Sequence, residues 1–332
     1  MSSADVKRSA GAKRVGEVEP PVNLIRVAAA ASRESATRVG EIGTLASVKR
    51  LQVQRFRAHA VASDDLVARE DVVATEEPLE IRLAHTRPDG RRAQQSISIT
   101  MRTPGNDGEL AAGFLLTEGI IAGAAEIEAI GPCGPPAANG LINVVRVDLA
   151  AGVEVDLARL ERHFYTSSSC GVCGKASLEA VAVQGRYDLH GAALRVSAET
   201  LGGLPERLRA LQSVFERTGG LHASGLFDSS GQVHVSREDV GRHNALDKLV
   251  GQALLTDELP LSTYGVVVSG RASFELMQKA MMAGIPMLAA VGAPSSLAVE
   301  FAEEFGMTLV GFLKADRFNV YSRPDRVAGQ GS

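Results

Sequence analysis

Apolar and polar positions alternate where the regular part of the chain begins, from about residue 65. Leu79, Ile81 and Leu83 alternate with polar neighbours, Arg87-Pro88-Asp89-Gly90 supplies turn residues, and Ile97, Ile99 and Met101 alternate again. A period of two on both sides of such a turn predicts a β-hairpin. Asn106-Asp107 can cap a helix that carries Leu110, Phe114, Leu115 and Ile121. A further strand over 142–149 closes an α+β unit.

The last third has another rhythm. Residues 265–269 form a short apolar run, and 273–283 have helical spacing through Met277, Ala280 and Met281. Residues 285–291 read as strand. Residues 295–305 read as helix, with Leu297, Ala298, Phe301 and Ala302 opposite Glu300, Glu303 and Glu304; residues 307–313 read as strand again. A β-α-β-α-β order predicts parallel strands joined by right-handed crossovers. The fold class expected is therefore α/β: a C-terminal α/β domain over 166–328 beside a smaller α+β domain over 59–165.

Residues 1–58 break the pattern. They hold 11 Lys and Arg against 5 Asp and Glu, a balance of +6 that leaves −10 for the rest of a chain whose net charge is −4. This basic arm, rich in Ala, Ser, Arg and Val, is expected to be disordered; its five acidic residues argue against a transit peptide. No run of about 20 apolar residues occurs, so no membrane span is expected. With aromatics at 4%, no Trp and a net negative charge, nucleic acid is not the expected partner. Three cysteines, Cys133, Cys170 and Cys173, are too few for a disulfide scaffold, and no apolar signal segment precedes them. A reducing, cytoplasmic setting is expected, where a close Cys pair is chemical or metal-binding and Cys133 is an incidental loop thiol.

The pair lies in Thr166-Ser167-Ser168-Ser169-Cys170-Gly171-Val172-Cys173-Gly174-Lys175, followed by a helical pattern through Ala176, Leu178, Ala180 and Val181. Unpaired N–H groups at a helix start favour thiolate over thiol, and the flanking glycines let another molecule approach the sulfur. Three chemistries fit the spacing: half of a structural zinc site, a dithiol–disulfide oxidoreductase, and a thiolate carrying a transferable group such as a persulfide. Zinc deaminase chemistry is excluded. It needs Pro before the first Cys and a His-x-Glu upstream, whereas Ser169 precedes Cys170 and none of the seven histidines has Glu two residues later.

A second constellation runs from Gly219-Gly220-Leu221-His222 to Ser236-Arg237-Glu238-Asp239-Val240-Gly241-Arg242-His243-Asn244. Ser236 with Asp239 reads as a capping box opening a helix. On that helix Asp239, Arg242 and His243 share the inward side with Leu246, Leu249, Val250, Ala253 and Leu254, while Asn244 and Lys248 point elsewhere. Such a face is either an internal Asp–Arg–His network or a pocket wall; His222 reads as a structural histidine. A third constellation is positional. The loops after the three parallel strands hold Ser269-Gly270-Arg271-Ala272-Ser273, Gly292-Ala293-Pro294-Ser295-Ser296 and Leu313-Lys314-Ala315-Asp316-Arg317-Phe318-Asn319, all at one sheet edge, where open α/β folds bind ligands. Small hydroxyl residues at helix starts suit a phosphate, and Arg271, Lys314 and Arg317 add charge-assisted donors. No Gly-x-Gly-x-x-Gly or Walker pattern accompanies them.

Together these stretches resemble a known family. TSSSCGVCGK (166–175), REDVGRHNALDK (237–248), VVVSGRASFELMQKA (266–280), LVGFLKADRFNVYS (309–322) and ELAAGFLLTEGII (109–121) are similar, in the same order, to the formate dehydrogenase accessory sulfurtransferases, over about residues 70–328. The resemblance implies a sulfur carrier that receives sulfur from a cysteine desulfurase as a persulfide on Cys170, with Cys173 secondary. It implies transfer to the molybdenum cofactor, in its bis-guanine-dinucleotide form, before that cofactor enters formate dehydrogenase. It puts cofactor contacts on Phe312, Leu313, Lys314, Ala315, Asp316 and Arg317, to which the edge geometry adds Ser269, Arg271 and His243. It also implies a cytidine-deaminase-like α/β domain without zinc, no metal held directly by the protein, and a homodimer. Some members carry glycine where Ala315 and Asp316 stand, and an acid there repels phosphates unless Lys314 or Arg317 neutralises it. Two other classes remain open: a thiol–disulfide oxidoreductase, and a nucleotide-binding chaperone whose cysteines hold zinc.

Overall fold

The computed structural model describes residues 25–26, 47–55, 67–87, 89–155 and 186–329. Most of the basic arm and the whole Cys170–Cys173 loop with its following helical pattern lie outside the described residues. Two sheets organise the rest. The first has five strands in the order β1 (Ile25–Arg26), β6 (Ile127–Pro132), β7 (Val144–Leu149), β4 (Glu77–Thr86) and β5 (Arg92–Arg102). The expected hairpin is β4–β5, paired antiparallel, with Gly90 at φ 79 donating its N–H to the Arg87 carbonyl in the turn. Leu79, Ile81 and Leu83 on β4 are fully buried, as their alternation requires. Strands β2 (Val48–Arg55) and β3 (Val67–Ala74) form a separate two-stranded ribbon.

The second sheet has six strands in the order β10 (Val233–Asp239), β9 (His222–Phe227), β11 (Gly265–Val268), β12 (Met287–Ala290), β13 (Thr308–Gly311) and β14 (Asn319–Ser322). Strands β11, β12 and β13 are parallel, as their connections predict. They are apolar but for the buried Thr308, whose hydroxyl donates to Arg323 O, because both faces are covered. Val266, Val268, Leu288, Ala290 and Leu309 join one core cluster with helices α4 (Arg242–Leu255), α5 (Phe274–Met282) and α6 (Ser296–Glu304). Val267, Met287, Ala289 and Val310 face the opposite way, onto Leu201, Leu204 and Leu208 of α2 (Ala198–Ala210). A short helix, α3 (Ser213–Thr218), leads into β9.

Helix α1 (Asp107–Thr117) joins the sheets, packing on the first and against α4 on the second. The two helix backbones touch. A Cβ built on Gly113 lies 1.9 Å from the Asp247 carbonyl oxygen, and one on Gly251 lies 1.8 Å from that of Glu109.

Several expectations need correction. Helix α1 ends at Thr117, so Ile121 is buried beyond it, past Gly119 at φ 68. Ser236 and Asp239 open no helix. They belong to β10, pairing with Gly225 and His222, and α4 starts at Arg242 after the N-cap Gly241. Asn244 and Lys248 do not point away from the core; both are buried, because α4 is covered by α1 as well as by its sheet.

Candidate functional site

Parallel strands bring the three loops predicted for one edge together there, and hydrogen bonds stitch them. The Gly292 N–H donates to Gly270 O at 2.9 Å, Ala272 N–H to Ala293 O at 3.1 Å and Phe312 N–H to Gly292 O at 3.0 Å. Gly292 permits the approach: a Cβ on it would lie 2.9 Å from Gly270 O and 3.0 Å from Arg271 Cα, both backbone atoms that cannot rotate away. Two of the hydroxyls are already engaged. Ser295 Oγ accepts from the Ala298 N–H and caps α6, and Ser269 Oγ accepts from the Ala223 N–H at 2.9 Å.

Beside these loops the first turn of α4 presents Arg242 and His243. His243 Nε2 lies 3.4 Å from Ser273 Oγ and 4.0 Å from the Glu275 carboxylate. Burial, reinforced by the charges of Arg242 and Lys279, holds its pKa down to about 4, against the pull of Glu275 and Glu118, so the ring is neutral at physiological pH. Asp239 does not join Arg242 and His243 in a network. Its fully buried carboxylate pairs with Lys248 Nζ at 2.7 Å and accepts from the N–H groups of Gly241 and Thr103 and from Asn244 Nδ2. That knot ties the end of β5 to the start of α4.

A cavity of about 530 Å³ opens under the same edge, on the α2 side, lined by Arg209, Gln212, Phe215, His222, Ser269 and Val291 among others. The Arg209 guanidinium carbon sits 3.8 Å from the centre of the Phe215 ring, a cation–π stack. His222 is half-buried, and no other described residue hydrogen-bonds its ring; burial and then Arg242 push its pKa down. The reading of His222 as a structural histidine therefore gives way to a neutral imidazole in a cavity wall. Nothing in the sequence pointed to Arg209, Gln212 and Phe215, which sit on α2, the following turn and α3 and meet only in the fold.

The last loop divides its residues. Phe312 is half-exposed at φ 53, while the Leu313 side chain is buried in the α2-side core and its N–H bonds to Ala290 O. Lys314, Ala315, Asp316 and Arg317 are exposed in a turn closed by Lys314 N–H to Arg317 O at 2.9 Å. The carbonyl oxygen of Ala315 rests against α2 at Gly202, where a Cβ would come within 2.7 Å. Arg317 pairs with Asp316 at 3.3 Å, both well exposed, and Arg271 is exposed on the first loop. Thus Ser269, Arg271 and the 312–317 stretch share one edge, with His243 beside it; Cys170 and Cys173 lie outside the described residues. On the other sheet Cys133 follows directly after β6, next to the Arg82 guanidinium.

Fold and site together define an α/β protein whose loops after the three parallel strands meet at one sheet edge, with Arg271, Lys314 and Arg317 exposed there. Residues 74–328 match the model of the FdhD/NarQ family, and the chain belongs to that family. It is 53% identical over 283 residues to the "Sulfur carrier protein FdhD" of Streptomyces coelicolor, covering 84% of this chain and 95% of that one. To the protein of the same name from Mycolicibacterium paratuberculosis it is 51% identical, covering 82% and 98%. The fold is similar to the crystal structure of a protein from Desulfotalea psychrophila assigned as a formate dehydrogenase accessory protein. There the TM-score is 0.62 at 24% identity, covering 85% of this chain and 99% of that one. No helix among the described residues is long and apolar enough to cross a membrane.

Proposed function

We propose that this protein is a sulfur carrier that supports formate dehydrogenase maturation. The Cys170 thiolate attacks the outer sulfur of a persulfide on a cysteine desulfurase; the new S–S bond forms as the donor's thiolate leaves. Cys173 assists release and is not the first to receive sulfur. The acceptor, the molybdenum cofactor in its bis-guanine-dinucleotide form, docks as cargo at the edge formed by the loops at Ser269, Gly292 and Phe312. Arg271, Lys314 and Arg317 supply charge-assisted donors for its phosphates, and Arg317, 3.3 Å from Asp316, offsets the repulsion of that acid. Neutral His243 and His222 offer hydrogen bonds there without adding charge.

The observation that carries this reading is the joining of three loops, two of them bearing exposed cations, at one sheet edge in a chain about half identical to proteins named sulfur carriers. Its test is genetic. In a strain lacking the protein, the Cys170→Ala variant should fail to restore formate dehydrogenase activity while melting like the parent. Full restoration by that variant refutes the assignment.

A further inference from the structure

The Gln212 side chain has no structural task. The residue is the N-cap of α3 yet makes no side-chain cap hydrogen bond. The turn is held without it: the Gln212 N–H donates to Arg209 O at 3.1 Å, and its carbonyl accepts from the Glu216 N–H at 2.9 Å. Gln212 is 4% exposed, and its amide Nε2 is buried with no hydrogen-bond partner among the described residues. A buried donor left unmade destabilises the fold, so such a group needs a cause outside the packing.

That side chain lines the cavity under the sheet edge, where two more polar groups have unused capacity. The neutral His222 ring bonds to no other described residue. Ser269 Oγ accepts from the Ala223 N–H, and its own proton stays free to donate. Leu208, Leu221 and Val291 supply apolar wall, and no carboxylate among the described residues lines the space. An apolar cavity with a few convergent, uncharged polar groups takes a neutral group of its ligand and leaves any ion outside. The Gln212 amide and the Ser269 hydroxyl are donors in need of an acceptor, which a ring carbonyl provides and an amino group does not. Rotation about the last bond of a glutamine is broad, so the amide can turn its donor to a ligand.

We infer that Gln212 is a specificity-determining residue, whose amide donates to the ring carbonyl of a lactam heterocycle seated in this cavity and disfavours rings with an amino group at that place. The inference rests on the acceptor reading above. The anionic part of the same ligand stays outside, with the exposed cations Arg271, Lys314 and Arg317. Guanine and pterin share the lactam edge, and either ring has the chemistry that Gln212 reads.

The test uses the full-length protein and calorimetric titration, with each lactam probe beside its amino counterpart: GDP beside ADP, and pterin-6-carboxylate beside 2,4-diaminopteridine-6-carboxylate. Inorganic pyrophosphate reports on the cations alone. The parent should bind pyrophosphate, and should bind at least one lactam probe about ten- to hundredfold tighter than its counterpart. Gln212→Met, which keeps the length of the side chain, should weaken that lactam probe about five- to hundredfold and leave pyrophosphate unchanged. The lactam probe that weakens tells guanine from pterin. Gln212→Met should also melt at or above the parent temperature, because it removes a buried donor without a partner; a structural glutamine would give the opposite. The inference is overturned if Gln212→Met binds both lactam probes like the parent, if pyrophosphate weakens equally, or if the variant melts well below the parent. A parent that binds pyrophosphate but prefers neither lactam probe overturns the role of Gln212 alone. A parent that binds no probe overturns the acceptor reading and the inference with it.

Discussion

Replacing Gly113 with Ala should destabilise this protein, although the same change in an ordinary helix stabilises. Ala is favoured over Gly in a helix interior by about 0.8–1.0 kcal/mol. Here the added Cβ would lie 1.9 Å from Asp247 O, 2.7 Å from its carbonyl carbon and 2.9 Å from Gly251 N. All three are backbone atoms of α4, so no rotamer relieves the clash, and the helices must part by about 1.5 Å to restore ordinary contact. Overpacking of this kind costs about 1–3 kcal/mol and sometimes more, which exceeds the propensity gain. Urea unfolding of Gly113→Ala should therefore show a lower midpoint with an unchanged slope. Gly203→Ala in α2 is the control. Its Cβ meets only the Arg207 guanidinium, at 3.4 Å, a flexible end that can move, so stability should hold or rise by about 0.4–1 kcal/mol. Because Gly113 and Gly251 meet across one contact, the double variant Gly113→Ala/Gly251→Ala should lose less than the two single losses added together. A Gly113→Ala protein as stable as its parent would show that the two helices are not in backbone contact.

Two further outcomes follow from the edge itself. Arg317→Ala removes a charge-assisted donor worth about 1.5–3 kcal/mol, so GDP affinity measured by calorimetry should fall about ten- to hundredfold; unchanged affinity would remove Arg317 from the site. His243 titrates near 4 in the native state and near 6.5 when unfolded, so on acidification the unfolded chain takes up the proton first. Its contribution to stability is present above about pH 6.5 and is lost as pH falls through 4. Melting temperatures taken from pH 7 to pH 4 should accordingly drop less steeply for His243→Gln than for the parent, and parallel curves would contradict the burial ascribed to the ring.

Much of the scaffold was legible because its patterns are local. The alternation at Leu79, Ile81 and Leu83 placed β4, and the apolar runs at 265–269, 285–291 and 307–313, spaced by helical stretches, implied parallel strands and a shared edge. Reading failed where two local signals competed or where a third layer intervened. Ser236 and Asp239 have the spacing of a helix cap, yet pairing with β9 claims them as strand, and Asp239 turns inward to meet Lys248. A helical wheel assumes one buried face, whereas α4 is covered by both α1 and a sheet, so Asn244 and Lys248 are buried as well. The cavity was not legible because Arg209, Phe215, His222 and Val291 come from separate elements. Left-handed Phe312 has no sequence signature, since glycine is the residue that ordinarily marks such a turn.

The central claim is that Cys170 receives sulfur, and intact mass spectrometry tests it most directly. The protein is incubated with a cysteine desulfurase and cysteine, desalted without reductant and weighed beside its Cys170→Ala variant. The account predicts that the parent gains the mass of one sulfur atom, that reductant removes it, and that Cys170→Ala gains none. A variant that loads sulfur as fully as the parent, or a parent that gains none, would contradict it.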